Sequence, residues 1–430
     1  MEEEQKIQMR KRNMKIFPIC KKLGWDFIFF YTINFLFLTQ VKGINAADIV
    51  LIDAFYSLFG ILTQIPATFI IDLLGRKNSI ILGNILNCTY MLIIIFSKNL
   101  LDLILAELVC SLAFAIKESA EPGILNMSIP PTKNKSKIFA RINEKGVSGY
   151  YIINAIATVL AGFLYEINPY IPITLSLTVL IIVAILSTLY IEPVQKTKKI
   201  KVQNYSPIKE FKESLLFILK SERVKSLIIF SSLMGGILTV LTTYEISLLE
   251  DLGISAKYLG ILFAILGIIT GMSARQQENV HNKYKNKTLI TLGVCISSTC
   301  LISGIAGSLA EELIIFVLII IIAYIIKYIA SGIYYALIEK YLSNFTNKNI
   351  DTKIFSANNL CRSISSAITG IAASFLLNRM TTAYCMIILG TIFSILMILV
   401  NKYMKTRVGL SPEQYSKEEV KYDSLKEERG

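Results

Sequence analysis

Residues 47–97 read ADIVLIDAFYSLFGILTQIPATFIIDLLGRKNSIILGNILNCTYMLIIIFS. Two apolar stretches, 47–71 and 79–97, are each long enough to cross a hydrocarbon core of roughly 30 Å as a helix rising about 1.5 Å per residue. Between them lies a short polar turn that carries Asp72, Gly75, Arg76 and Lys77. The same rhythm continues in both directions. About twelve apolar stretches, each roughly 17–25 residues, can be marked out, near 23–41, 47–71, 79–97, 101–127, 141–163, 171–191, 225–249, 257–275, 288–307, 312–338, 354–377 and 382–403.

The connections alternate in charge. One set holds Arg76 and Lys77, then Lys133, Lys135, Lys137, Arg141 and Lys145, then the run from Lys196 to Lys225, then Arg275 to Lys287, then Lys340, Lys348 and Lys353. The other set holds only Lys42, Lys98, Lys257 and Arg379. Basic residues concentrate on the cytoplasmic side of a membrane. The expected fold is therefore all-α and integral to the membrane: twelve transmembrane helices in two six-helix pseudo-symmetric halves, with both termini cytoplasmic.

Composition points the same way. The 430 residues have a mean hydropathy of +0.57, with 53% apolar and 17% charged side chains, where a soluble chain carries about 25% charge. The net charge of +13 excludes little by itself. Because the basic residues flank the cytoplasmic ends of the spans, they fit anionic lipid headgroups, and no nucleic acid is expected as a partner. The N-terminal segment runs into a full-length span without a small-residue cleavage site, so it does not read as a signal peptide. The seven cysteines form no C-x-x-C pair and fall mostly inside apolar spans, as small buried hydrophobes do. No metal site and no cofactor are expected. The only histidine, His281, lies in a Lys/Asn-rich cytoplasmic loop and is expected to be solvated.

These readings divide the chain into a cytoplasmic segment 1–22, a six-helix domain 23–191, a cytoplasmic linker 192–224, a second six-helix domain 225–403 and a tail 404–430. Within the linker, Ser206-Pro207 suits an N-cap and first helical position. Ile208, Phe211, Leu215 and Leu219 follow at helical spacing, which predicts an amphipathic helix on the membrane face. Lys117 and Lys327 fall at matching depths of spans four and ten, as in parallel repeats that share a midplane site.

The turn Asp72-Leu-Leu-Gly75-Arg76-Lys77 resembles the cytoplasmic signature of the major facilitator superfamily, with Thr68 where that family usually has glycine and Leu73 where it usually has a basic residue. The resemblance covers about residues 23–403. It implies that Asp72, Gly75, Arg76 and Lys77 form a latch between two access states, and that spans one, four, seven and ten line a central cavity. The equivalent turn of the second half, Gly271 to Arg275, keeps the glycine and lacks the aspartate. Span five carries Gly146, Gly149 and Gly162 but no proline, so it lacks the Gly-Pro signature of the antiporter branch. Arg141-Ile-Asn143 and Ala161-Gly162-Phe163 look most like bacterial efflux members.

Ionisable residues inside apolar spans are the candidate functional groups. In span four, Glu107, Lys117, Glu118 and Glu121 lie at about 80°, 0°, 100° and 40° on a helical wheel, one stripe that must face protein or water. Each would cost about 2.5–3.5 kcal/mol facing lipid at the bilayer centre. Span ten gathers Tyr324, Lys327, Tyr328, Ser331, Tyr334 and Tyr335 on one face. Asp26, Asn34 and Gln40 share a face of span one, and Ser231, Gly235, Thr242 and Glu245 one of span seven. Asp53, Ser57, Gln64 and Thr68 do so in span two; Asn358, Asn359, Arg362, Ser366 and Thr369 do so in span eleven.

A carboxyl group taken out of water can exchange a proton with whichever bulk phase reaches it. Glu121, Glu118, Glu107 and Asp53 are the expected proton-coupling groups, with Glu121 first because it lies beside the helix-loosening Pro122. The competing reading makes Lys117 and Glu121 an inert i,i+4 pair. Lys117, Lys327, Tyr324, Tyr328, Ser331, Asn34 and Glu245 are the expected substrate contacts, the two lysines holding an anionic group unless the glutamates neutralise Lys117. The function expected is secondary active transport, as proton-coupled efflux of a small amphipathic organic compound by a monomer in a bacterial plasma membrane. The alternatives are uptake of a polar or anionic nutrient, or a non-transporting receptor or membrane-embedded enzyme. The Gly-x-x-x-x-Gly-Lys-[Ser/Thr] loop of a nucleotide-driven pump is absent from the sequence.

Overall fold

The computed structural model describes residues 2–130, 135–192, 222–284, 287–310, 313–344 and 351–407. Its helices are α1 (Glu2–Gly24), α2 (Asn34–Leu36, continued by a π-turn over Phe37–Val41), α3 (Ala46–Leu62), α4 (Gln64–Phe96), α5 (Leu100–Ser128), α6 (Lys135–Ile167) and α7 (Tyr170–Thr188). They continue as α8 (Glu222–Asp251), α9 (Ala256–Arg275), α10 (Gln277–Tyr284), α11 (Lys287–Leu309), α12 (Ile314–Asn344), α13 (Asp351–Leu377) and α14 (Thr382–Arg407). Among the described residues, nine helices are long and apolar enough to cross a membrane. The helix expected around Ser206-Pro207 lies outside the described residues, as does the tail beyond Arg407.

The first expected span, 23–41, is not one helix. Helix α1 runs up to Gly24, and the chain then turns irregularly until Asn34, with Phe29 at φ +72°. Local chemistry accounts for the break. The Asp26 carboxylate accepts the Phe27 N–H at 2.8 Å, so a side chain takes a donor that a continuing helix would use. Beyond the break, Lys42 donates to the carbonyls of Ile95 and Ser97 at 2.6 and 3.1 Å, so a cation satisfies the orphan acceptors where α4 ends.

Span two is also interrupted. Helix α3 stops at Leu62 and α4 begins at Gln64, because Pro66 has no N–H to offer the Leu62 carbonyl. The chain then passes through Gly75 at φ +76° and ψ 169°. This is the tight turn expected between spans two and three, in a conformation that glycine adopts without a steric penalty.

By their internal contacts the residues form two compact units. Unit one comprises Met1–Asp48, Leu58–Gln203 and Ser255–Ile265; unit two comprises Ile49–Ser57, Asn204–Ile254 and Leu266–Gly430. In unit one, Phe17 and Cys20 of α1 pack with Ile80, Ala120, Ile124, Leu125 and Tyr190. Asn13, fully buried, fastens α1 at this end: its amide donates to Ser128 Oγ at 3.0 Å and to the Ile191 carbonyl at 2.9 Å, and accepts the Ile191 N–H at 2.9 Å. In unit two, Gly236 lets α13 approach α8 so closely that an added Cβ would fall 2.5 Å from Thr369 Oγ1, the small-residue contact typical of membrane helices.

His281 is not solvated as the polarity of its loop suggested. It sits on α10, is 3% exposed and faces Tyr341 of α12 edge-on, with the Tyr341 hydroxyl 3.4 Å from Nδ1. Eight residues with two apolar side chains, Val280 and Tyr284, are too few to give a periodicity that marks a buried face.

Candidate functional site

Each unit holds its own buried charge cluster. In unit one, Lys117 of α5 is 3% exposed and its ammonium donates to the Gly24 carbonyl at 2.5 Å. That carbonyl belongs to the last residue of α1, where the helix leaves acceptors unsatisfied and its dipole favours a cation. Lys117 therefore caps the broken end of span one. Its stem passes where Gly83 of α4 has no side chain; a Cβ there would lie 2.8 Å from Lys117 Cγ.

Glu121, one turn along α5, stands between two cations. Its carboxylate is 3.3 Å from Lys21 Nζ and 4.0 Å from Lys117 Nζ. The i,i+4 pair read from the sequence is present and is the longer of the two contacts. The expected stripe on α5 separates by exposure: Glu107, Lys117 and Glu121 are buried, while Glu118, at the edge of the arc, is exposed. Glu107 accepts the Tyr90 hydroxyl at 3.3 Å. Asp26 accepts the Tyr150 hydroxyl at 3.4 Å, beside the edge-on rings of Trp25, Tyr150 and Tyr151. Asn34 keeps a buried carbonyl oxygen without a hydrogen-bond partner.

At the Gly75 turn, Asp72 is the acid of the expected latch. Asp72 is exposed. The backbone N–H groups of Arg76 and Lys77 are instead accepted by Glu192, at 3.0 and 2.6 Å. A carboxylate at a helix start satisfies orphan donors and complements the dipole. Sequence reading missed Glu192, although an acid directly after span six was a usable signal. The Arg76 guanidinium packs on Gly123 of α5, and its buried Nε has no hydrogen-bond partner.

In unit two, Lys327 of α12 and Glu245 of α8 form an ion pair at 3.0 Å, with side chains 5% and 1% exposed. Tyr328 lies under the Lys327 ammonium at 4.2 Å, and the Tyr324 hydroxyl donates to the Glu245 carbonyl at 3.4 Å. Ser331 Oγ bonds back to the Lys327 carbonyl at 2.8 Å. Asp53 accepts the Thr243 hydroxyl at 2.6 Å. On the same helices, Tyr334 reaches Ser231 at 3.3 Å and Thr239 reaches Ser366 at 3.0 Å. Among the described residues no group of three or more His, Cys, Asp or Glu side chains could hold a metal ion.

Among the described residues this arrangement is one of ionisable groups held inside apolar helices, some in ion pairs and some on hydroxyl partners. Comparison with known proteins agrees in kind. A family model described as Major Facilitator Superfamily matches residues 24–370. An uncharacterized MFS-type transporter, YxaM of Bacillus subtilis (strain 168), is 25% identical over 224 residues, 50% of this chain and 53% of the relative. The chain thus spans about half the length of that relative. Among solved structures, the nucleoside transporter NupG superposes with a TM-score of 0.68 at 12% identity, covering 94% of this chain and 100% of that one. The D-xylose-proton symporter gives 0.66 at 10% identity, covering 94% and 98%. At such identities these likenesses concern the fold. With the family model spanning most of the chain and the charges buried in apolar helices, the protein belongs to the Major Facilitator Superfamily and is a multi-pass membrane transporter, not an enzyme.

Proposed function

We propose that this transporter exports a small amphipathic organic compound in exchange for protons across a bacterial plasma membrane, by alternating access of two six-helix halves with both termini in the cytoplasm. The observation that carries the coupling is Glu121 held between Lys21 and Lys117. A proton arriving on Glu121 neutralises the carboxylate and leaves two ammonium groups facing a neutral acid. Lys21 then loses its acidic partner, while Lys117 keeps the Gly24 carbonyl as its strongest contact. The balance of forces at the end of α1 changes with a single proton, and a ligand or proton shifts an access equilibrium only through such a difference between states. Glu107, Glu118 and Asp53 are secondary proton groups in this reading.

Substrate is contacted by the polar faces that carry Asn34, Lys117, Tyr324, Lys327, Tyr328, Ser331 and Glu245. Asp72, Gly75, Arg76 and Lys77 act as the latch, with Glu192 fixing the helix start behind them. The resemblance of spans three to six to bacterial efflux members supports export. In inside-out vesicles with an imposed pH gradient, the intact protein should accumulate substrate and Glu121→Gln should leave only gradient-independent exchange. Full gradient dependence in Glu121→Gln would remove Glu121 from the coupling, and gradient-driven movement in the opposite orientation would make the protein an importer.

A further inference from the structure

Three cations stand out on the polar stripes of spans four, ten and eleven: Lys117, Lys327 and Arg362. Two are compensated within their own unit. Lys117 faces the Gly24 carbonyl and Glu121, and Lys327 faces Glu245. Arg362 on α13 has no ion pair and no hydrogen bond among the described residues, and its Nε is buried without a partner. Arg362 is half-buried, five residues into the apolar stretch Ala357–Leu377, and an uncompensated charge there is a candidate functional position.

Three neighbours set the position of the Arg362 guanidinium. Its side chain lies across Gly235 of α8, where a Cβ would come within 3.3 Å of both Arg362 Cβ and Nε. Tyr335 of α12 places its ring 5.9 Å from the guanidinium carbon, a stacking platform. One turn earlier on α13, Asn358 is 3% exposed and its side-chain oxygen accepts no hydrogen bond. Turned over, that amide presents N–H donors one helical turn from Arg362, since the oxygen and nitrogen of an Asn side chain are assigned from their partners.

We infer that Arg362, with Asn358, Gly235 and Tyr335, forms a site in unit two for the carboxylate of the transported compound, making the substrate class an amphipathic organic acid. The planar guanidinium matches a carboxylate in a two-bond fork that an ammonium does not offer. The inference deepens the transport reading above and rests on it for the word substrate; binding itself can be tested without transport.

Equilibrium dialysis of the full-length protein in a zwitterionic detergent, with 2-naphthoate and its neutral amide as probes, separates the possibilities. Naphthoate should bind more tightly than naphthamide by about tenfold or more, and Arg362→Gln should abolish that preference. Arg362→Lys should restore part of it, and Asn358→Ala, which keeps the charge and the fold of α13, should weaken naphthoate more than naphthamide. Equal binding of the two probes, absence of naphthoate binding, or a preference that survives Arg362→Gln overturns the site. An anionic lipid could supply similar chemistry: phosphatidylglycerol binding that depends on Arg362 while naphthoate is ignored would also overturn it. Vesicle flux read in parallel keeps the two readings apart. Naphthoate bound through Arg362 but never moved leaves the site standing and removes the transport reading, whereas movement of only a cationic compound does the reverse.

Discussion

The guanidinium of Arg76 rests directly on the Cα of Gly123, so closely that even a methyl group at that position would occupy the same space. A charged residue of the Gly75 turn is thereby keyed into α5 two residues beyond Glu121. The turn and the carboxylate helix are mechanically one body within unit one.

Gly123→Ala should therefore expel Arg76 instead of merely filling a gap. Overpacking of this kind costs about 1–3 kcal/mol, and thermal unfolding of the purified protein should show it. Restoring space with Gly123→Ala/Arg76→Ala should recover most of the loss; an additive double variant would show that the two residues do not share the same volume.

Lys117→Met removes the cap of α1 and strips Glu121 of one of its two cations. Breaking a buried charged contact by deleting one partner destabilises by about 3–5 kcal/mol. A cysteine introduced at Phe29 should also become more reactive to a small thiol reagent in the Lys117→Met background, since the irregular segment loses its anchor. Unchanged reactivity there would assign Lys117 to ion pairing alone.

Glu192→Gln and Asp72→Asn should behave differently although both lie at the same turn. Glu192→Gln weakens two backbone hydrogen bonds at a helix start and should cost about 1 kcal/mol. Asp72→Asn, at an exposed position, should leave unfolding unchanged and alter only the partition between access states, read by thiol labelling from the two sides. Equal loss of stability in both would contradict the assignment of Glu192 as the cap.

Glu245→Ala should strand Lys327 at a site where its side chain is 5% exposed. The single variant should lose about 3–5 kcal/mol, and Glu245→Met/Lys327→Met should regain much of that because the pair is replaced by apolar volume. Chemical denaturation of the four members of the cycle gives the coupling. A near-zero coupling energy would mean that the two groups do not depend on one another.

The helices were legible in the sequence because span length and apolar composition are set by the bilayer, and most observed ends fall within a few residues of the expected ones. The buried stripe on α5 was legible as well, since Glu107, Lys117 and Glu121 follow helical spacing. What the pattern concealed were contacts between residues far apart in the chain. The break after Gly24 lies inside a span-length stretch with Asp26 as its one acid, and Asp26 and Lys117, 91 positions apart in the sequence, explain it together. Glu192 and Arg76 meet for the same reason. His281 was misread because the polarity of its neighbours says nothing of a tyrosine sixty residues later. Arg362 was visible as one member of a polar face, but that no acid among the described residues compensates it became apparent only when Lys327 was found occupied by Glu245.

The interruption of span one gives that segment a mechanical character different from its neighbours. A continuous α-helix carries axial thrust through its ladder of backbone hydrogen bonds, whereas here the ladder stops at Gly24 and resumes near Asn34. Between the two helical pieces the backbone keeps isolated turn bonds, among them Phe30 N–H to the Phe27 carbonyl at 3.2 Å and Ile33 N–H to the Phe30 carbonyl at 3.0 Å, and the Lys117 ammonium is the strut that sets where α1 ends. Span one is thus built in two pieces joined through Trp25–Ile33, the first ended by Lys117 and the second tied by Lys42 to the carbonyls of Ile95 and Ser97.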